Sequence, residues 1–196
     1  VLLCNHSVKL LRHAGDGSMQ LVATIELPSP AKNSTKIAVG EGVLAVGGGI
    51  GTLLFYEVER PDEPLLLGGI EDELAVKRIA ASGRTFYVID GKDRFDDGGN
   101  RMVGVVAFVV EVPKGRQLVD HGFVELVAPS RVPGEFMLVD IAAESPLLYV
   151  SGAAVGPSGI PEFRQIRAWD LRYPATPREL DRIDLTDIGS TVRMTA

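Results

Sequence analysis

The sequence contains very little cysteine and no long apolar run. Cys4 is the single cysteine among 196 residues, so no disulfide within the chain can support the fold. No stretch reaches the roughly 18 apolar residues that a membrane-spanning helix needs. The longest, VGVVAFVVEV, has the length of a strand and ends before Pro113. We therefore expect no membrane span.

Basic residues are too few for nucleic-acid binding. The formal net charge is −6 and the pI is about 5.1, whereas contacts with phosphates need a basic face. Hydrophobic residues make up 45% of the chain and charged residues 23%, which is typical of a globular protein with an ample core. An initiator methionine and a signal peptide are also missing, so we expect a part of a larger polypeptide.

Two motifs of enzyme chemistry are incomplete. A dinucleotide-binding fingerprint that starts at Gly47 would need a third glycine where Thr52 stands, and a strand-like segment rather than a helix follows. In GPSGI, around Ser158, Ile160 stands where a nucleophile elbow needs glycine. We expect neither a dinucleotide cofactor nor a serine nucleophile, and we assign no catalytic residue.

What the sequence does contain is a series of short strand-like runs. Runs of Val, Ile, Leu, Phe and Tyr alternate with Gly, Pro and Asp along the chain, as all-β domains require. Helical periodicity is nearly absent. A helix can be argued only for residues 134–145, GEFMLVDIAAES, and their β-branched and aromatic content favours a strand. The predicted fold class is all-β.

The runs recur in a fixed order of four. The second run of each set begins at residues 1, 43, 85 and 147, which gives steps of 42, 42 and 62 residues. Four strands in about 40–50 residues, repeated, are typical of the four-stranded antiparallel blades of a β-propeller. Such a blade has two apolar faces and must pack against neighbours on both. A β-sandwich, the alternative, does not explain why the pattern IA…G…LYV returns in step.

We predict a single β-propeller domain, or a fragment of one, over residues 1–196. Its blades cover about 1–28, 36–72, 77–127 and 138–187, and residues 190–196 complete the first blade. The chain starts at the second run of a blade and ends at the first, which leaves two arrangements open. Either the four blades close on themselves, or they are four consecutive blades of a larger ring.

Two segments carry a resemblance to a known repeat. IAVGEGVLAVGGGIGTLLFYEVERPDEPLLLGGIE, and LLYVSGAAV followed by IRAWDLRYPATPREL, resemble the LVIVD-type propeller repeat. That repeat has a strand pair, a strand with an acidic residue among apolar ones, and a turn with proline. The resemblance covers essentially the whole chain and specifies a fold rather than a chemistry. It implies an exported or surface-associated protein, and it implies no catalytic residues.

One connection, DGKDRFDDGGNR at residues 90–101, is rich in aspartate and glycine. Calcium takes six to eight oxygen ligands, which aspartate-rich turns supply. The candidate ligands are Asp93, Asp97 and Asn100. The EF-hand spacing, however, places Phe95, which has no side-chain oxygen, at a ligand position. The alternative is a solvated connection that pairs its own aspartates with Lys92, Arg94 and Arg101.

The position of this connection adds a second argument. It links the second and third runs of its set, and the other long insertion, residues 151–164, occupies the same link in the next set. In a propeller these links emerge on one face together with the connections between blades, here residues 28–35 and 127–135. Extra loop length is where scaffold proteins place function. The polar groups expected on this face are Asp90, Asp93, Asp97, Arg101, Arg131, Glu162 and Arg164.

The predicted function is a non-catalytic binding module that engages a protein or a small ligand through this face. The alternative is a propeller enzyme of the hydrolase or lyase type, which would use acidic residues on the same face, with or without Ca²⁺. A third hypothesis is a structural scaffold without a ligand.

Overall fold

The structure is a computed structural model. The structure describes residues 1–4, 6–31, 34–48, 51–71, 74–99, 101–110, 119–127, 135–155, 161–173 and 176–185. Within these ranges the chain forms sixteen β-strands, a short 3₁₀-helix at Ser29–Ala31 and no α-helix, which confirms the all-β prediction. No helix in these ranges is long and apolar enough to cross a membrane.

The strands form four antiparallel sheets, which follow one another along the chain. Sheet 1 contains β1 (Leu2–Leu3), β2 (Ser7–His13) and β3 (Met19–Glu26). Sheet 2 contains β4 (Lys36–Gly40), β5 (Val43–Gly48), β6 (Thr52–Glu57) and β7 (Leu65–Glu71). Sheet 3 contains β8 (Val76–Ser82), β9 (Thr85–Asp90), β10 (Arg94–Phe95), β11 (Arg101–Val109) and β12 (Val119–Val127). Sheet 4 contains β13 (Glu135–Glu144), β14 (Leu147–Val155), β15 (Pro161–Asp170) and β16 (Arg178–Asp184).

Each sheet pairs neighbouring strands in chain order, apart from the two-residue β10, which pairs with β11. Residues 134–145, where a helix was arguable, contribute strand β13, and the glycine-rich segment after β5 leads into strand β6 and not into a helix. The insertion 151–164 is largely strand, because β14 and β15 stay paired as far as Val155 and Pro161. The expected completion of the first blade by residues 190–196 lies outside the described residues.

The four sheets pack face to face in sequence order. One apolar cluster joins sheets 1 and 2, a second joins sheets 2 and 3, and a third joins sheets 3 and 4. In β5 and β6, Val43, Ala45, Leu53 and Phe55 face sheet 3, whereas Leu44, Val46, Leu54 and Tyr56 face sheet 1. Sheets 2 and 3 therefore bury both of their faces, which explains why inner strands such as β5, β6 and β9 are nearly continuous apolar runs.

Phe55 occupies the centre of the contact between sheets 2 and 3. Its ring lies 5.3 Å from that of Phe86 in an edge-to-face arrangement and 5.6 Å from that of Phe108. All three side chains are fully buried. Rings in this geometry gain an electrostatic contribution beyond the burial of their surface.

One end of the stack is closed by short hairpin turns. The backbone N–H of Glu41, in the β4–β5 turn, donates to the carbonyl of Gly83, in the β8–β9 turn, at 2.8 Å. Ser145, in the β13–β14 turn, donates to the hydroxyl of Ser82. A side chain at Gly40 would collide with the Gly83 carbonyl. The connection after β9, which is the longest within a sheet, and those that lead from one sheet to the next lie at the opposite end, which we call the long-connection end.

Phe55→Ala should lower the free energy of unfolding by about 3–5 kcal/mol, because the substitution removes a fully buried ring and leaves a cavity between two sheets. Urea unfolding measures the change. Phe95→Ala is the matched control, since Phe95 is 60% exposed and its loss should change stability by no more than about 0.5 kcal/mol. Equal losses in the two variants would contradict the assignment of Phe55 to the core.

Candidate functional site

Asp90, the last residue of β9, organises the aspartate-rich connection. Its carboxylate accepts hydrogen bonds from the backbone N–H groups of Ala75 at 2.9 Å and Lys92 at 3.0 Å, and from Arg94 Nη2 at 3.1 Å. The side chain is only 4% exposed. A buried carboxylate is tolerated when hydrogen bonds and a cation satisfy it. Asp90 therefore anchors the connection to the backbone of Ala75, immediately before β8.

The backbone at Gly91 also approaches Ala75 closely. Gly91 donates from its N–H to the carbonyl of Ala75 at 2.7 Å, and a Cβ at Gly91 would lie 3.0 Å from that oxygen. Glycine favours this close approach because a side chain at position 91 would crowd the Ala75 carbonyl.

The remainder of the connection folds back as a small hairpin. Arg94 and Phe95 pair with Met102 and Arg101, and Arg101 Nε donates to Asp93 Oδ1 at 2.7 Å. The pairs Asp90–Arg94 and Asp93–Arg101 are the internal acid–base contacts of the solvated-connection alternative.

The tip of the hairpin is a local turn. Asp96 accepts the N–H of Gly98 at 2.9 Å with its side chain and that of Gly99 at 3.0 Å with its carbonyl. Gly99 has a φ of 77°, a left-handed conformation that glycine adopts without strain. Asp97 is exposed at this tip, separate from the paired Asp90 and Asp93.

A cleft opens between this hairpin and the first strand of sheet 4. Its cavity volume is about 50 Å³, which is room for roughly three to five water molecules. The lining consists of residues 89–94 and 101–104, with Lys77 of β8, Phe123 of β12, and Met137 and Leu138 of β13. We call this feature the hairpin cleft. It lies at the long-connection end, between sheets 3 and 4.

Arg94 is the most constrained cation of the hairpin cleft. Its guanidinium binds Asp90, and its carbon Cζ lies 5.4 Å from the centre of the Phe123 ring, a distance at which a cation is attracted to a ring face. Nε is buried, and no described residue accepts a hydrogen bond from it. Packing and pairing hold the positive charge of Arg94 in one place.

The structure brings together only some of the residues predicted from sequence. Asp90, Asp93 and Arg101 line the hairpin cleft, and Asp97 does not. Arg164 lies opposite Ala153, on the face of sheet 4 that points away from sheet 3. The backbone of Glu162 belongs to β15, but its side chain, together with all of Asn100 and Arg131, lies outside the described residues.

Three contributors were missed by sequence reasoning. Lys77 and Phe123 are on strands 46 residues apart, and Met137 is on another sheet, so no local pattern connects them. Lys92 and Arg94 were noted only as partial neutralisation of the aspartates. Cations outnumber acids in the cleft because Lys77 joins Lys92, Arg94 and Arg101 there, whereas Asp96 and Asp97 are outside its lining.

In the described part of the chain, no cluster of metal-binding side chains supports the metal hypothesis. No group of three or more His, Cys, Asp or Glu side chains is placed there to hold an ion. Since Asn100 is not described, the proposed set of Asp93, Asp97 and Asn100 stays a prediction.

A second polar group is formed by β15 and β16, on the face of sheet 4 that also carries Trp169. Arg167 is buried and donates to Gln165 Oε1 through Nε at 3.0 Å and Nη2 at 2.8 Å, and it pairs with Glu179 at 3.3 Å. Gln165 in turn donates to Asp184 at 2.6 Å. Burial lowers the pKa of Arg167 and the charge of Glu179 opposes the shift. These groups satisfy one another, so we assign them a structural role.

Comparison with known proteins found no matching family model and no matching curated protein.

Asp90→Ala should destabilise the protein by about 1–3 kcal/mol, because two backbone N–H groups and Arg94 lose their acceptor. Urea unfolding measures this loss, and hydrogen exchange should show faster exchange of the Ala75 and Lys92 amides. Asp97→Ala removes the same side chain from the exposed tip and should change stability by no more than about 0.5 kcal/mol. Unchanged exchange at Ala75 in Asp90→Ala would refute the anchoring role.

Proposed function

We propose that this chain is a non-catalytic binding module built from β-propeller blades of the LVIVD type, which engages a protein or a small ligand at its long-connection end. The proposal includes an exported or surface-associated setting, for which the repeat resemblance is the support. The hairpin cleft is the observation that carries it, because the cleft gathers charged side chains of sheet 3 and apolar side chains of sheets 3 and 4 at the long-connection end.

The packing of the sheets supports the propeller arrangement. Each sheet is an antiparallel meander, and consecutive sheets stack on both faces, as blades around an axis do. On the face of sheet 4 that points away from sheet 3, Ala142, Ser151 and Ala153 are 5–7% exposed. No described sheet shares a core cluster with that face. Residues of this chain itself cover these side chains, which favours a further layer contributed by the chain over a free sheet face.

The pairing of the acidic residues favours binding over catalysis. Asp90 is held by two backbone N–H groups and Arg94, and Asp93 by Arg101. A general acid or base in a hydrolase or lyase must be able to reach its substrate and exchange a proton with it. Asp97 is exposed but outside the hairpin cleft. The enzyme alternative therefore has less support than the binding module.

Ala142→Asp tests whether the stack continues beyond sheet 4. If another layer covers that face, the buried charge should destabilise the protein by about 3 kcal/mol or more. Ala143→Asp is the matched reference, since Ala143 is the next residue, is similarly buried and faces sheet 3. Urea unfolding of both variants gives the comparison. A loss below about 0.5 kcal/mol in Ala142→Asp, beside a large loss in Ala143→Asp, would mean that the face is a free surface.

Titration of the isotopically labelled chain with a library of small fragments tests the binding module. We expect the fragments that bind to shift amide resonances of the hairpin cleft, for instance those of Gly91, Gly104 and Leu138. Resonances of the short turns at the opposite end, such as Gly42 and Gly83, should not move. Binding concentrated at those turns would overturn the assignment of the face, and a library without any binder would favour the scaffold hypothesis.

A further inference from the structure

The hairpin cleft is positively charged in an acidic protein. Its lining contributes four cationic side chains, those of Lys77, Lys92, Arg94 and Arg101, against the two carboxylates of Asp90 and Asp93. The whole chain has a formal net charge of −6. A surplus of two positive charges at one cleft of such a chain creates a local field that attracts anions.

Both carboxylates of the cleft are already engaged. Asp90 accepts two backbone N–H groups and pairs with Arg94, and Asp93 pairs with Arg101. A metal ion would have to compete with these cations for the same oxygens. An anion also has to share Arg94 and Arg101 with these carboxylates, but it adds a negative charge where four cations line the cleft against two acids.

Apolar side chains also line the cleft, next to these cations. Ile89, Val103, Phe123 and Leu138 line the cleft, and Ile89 is buried. Apolar surroundings lower the local dielectric, so a charged hydrogen bond formed here is stronger than one at an open surface. Arg94 is held in advance by Asp90 and by the Phe123 ring, which reduces the entropy that it loses when a ligand binds.

We propose that the hairpin cleft binds a small oxyanion group, a carboxylate or a phosphate, with Arg94 and Lys77 as its principal cationic contacts. The cavity volume of about 50 Å³ accommodates one such group and a water molecule or two, as judged from the space that a water needs. The anion is therefore a free small molecule or the charged end of a larger partner. This inference rests on the proposed binding function of the long-connection end and names its ligand class.

Nuclear magnetic resonance titration tests the proposal with sodium acetate, inorganic phosphate and calcium chloride, each at constant ionic strength because exposed charges are screened by salt. We expect saturable shifts of Gly91, Gly104 and Leu138 with acetate or phosphate, at millimolar affinity. Tighter binding of acetate would indicate a carboxylate ligand, and tighter binding of phosphate would indicate a phosphate group. Saturation by calcium with no response to either anion would overturn the proposal.

Two substitutions assign the contacts. Arg94→Gln should weaken anion binding at least tenfold, and Arg94→Lys should restore part of it because the positive charge returns. Since Arg94 also pairs with Asp90, its loss can disturb the hairpin, so Lys77→Gln provides a second variant at an exposed position and should weaken binding several-fold. Arg60→Gln is the control, because Arg60 lies in the β6–β7 turn at the opposite end and is 76% exposed. An equal loss in Arg60→Gln would show a general charge effect and no site.

Asp93→Asn separates an anion site from a metal site by the sign of its effect. It removes a negative charge and releases Arg101 from its ion pair, so anion binding should strengthen several-fold, whereas a calcium site would weaken. Weaker anion binding in this variant would contradict the proposal. If neutral fragments still bind at the cleft while both anions fail, the ligand class is wrong and the binding module stands. If neither binds there, both proposals fail.

Discussion

Burial of apolar sheet faces against one another holds the four sheets together. A strand such as VLAVGG or TLLFYE has no polar side to turn towards water, so its sheet is stable only with a neighbour on each face. Phe55, between Phe86 and Phe108, shows how one residue of sheet 2 fills the space that two strands of sheet 3 leave. With a single cysteine, this burial has no help from a disulfide.

The same stacking determines where a cleft opens. Short turns at one end are drawn together by backbone hydrogen bonds such as Glu41 to Gly83, and this leaves little room between the sheets. At the other end the connection after β9 is extended by a small hairpin, which lines a cleft together with β13 of sheet 4. The cleft is thus formed by one extended connection on an otherwise regular stack, in keeping with the general placement of function on loops.

The aspartates of the hairpin serve its own architecture. The carboxylate of Asp90 accepts a hydrogen bond from the backbone N–H of Ala75, that of Asp93 pairs with Arg101, and that of Asp96 accepts the N–H of Gly98 in the turn at the tip. The hairpin is rich in aspartate, yet cations are in excess in the cleft. Asp96 and Asp97 are outside its lining, and Lys77 of β8 adds a positive charge. Composition suggested a cation site, and geometry favours an anion site at the same place.

The strands, their order in four sets and the all-β class follow from the amino-acid sequence alone, because strand periodicity and turn residues are local signals. The unusual connection at residues 90–101 could also be recognised from its composition. Which groups meet there depends on the folded chain, which brings Lys77, Phe123 and Met137 to the cleft, places Arg164 on the far face of sheet 4 and leaves Asp97 at the tip. Those outcomes depend on register and on the packing of one sheet against the next, which bring together residues that no spacing in the sequence connects.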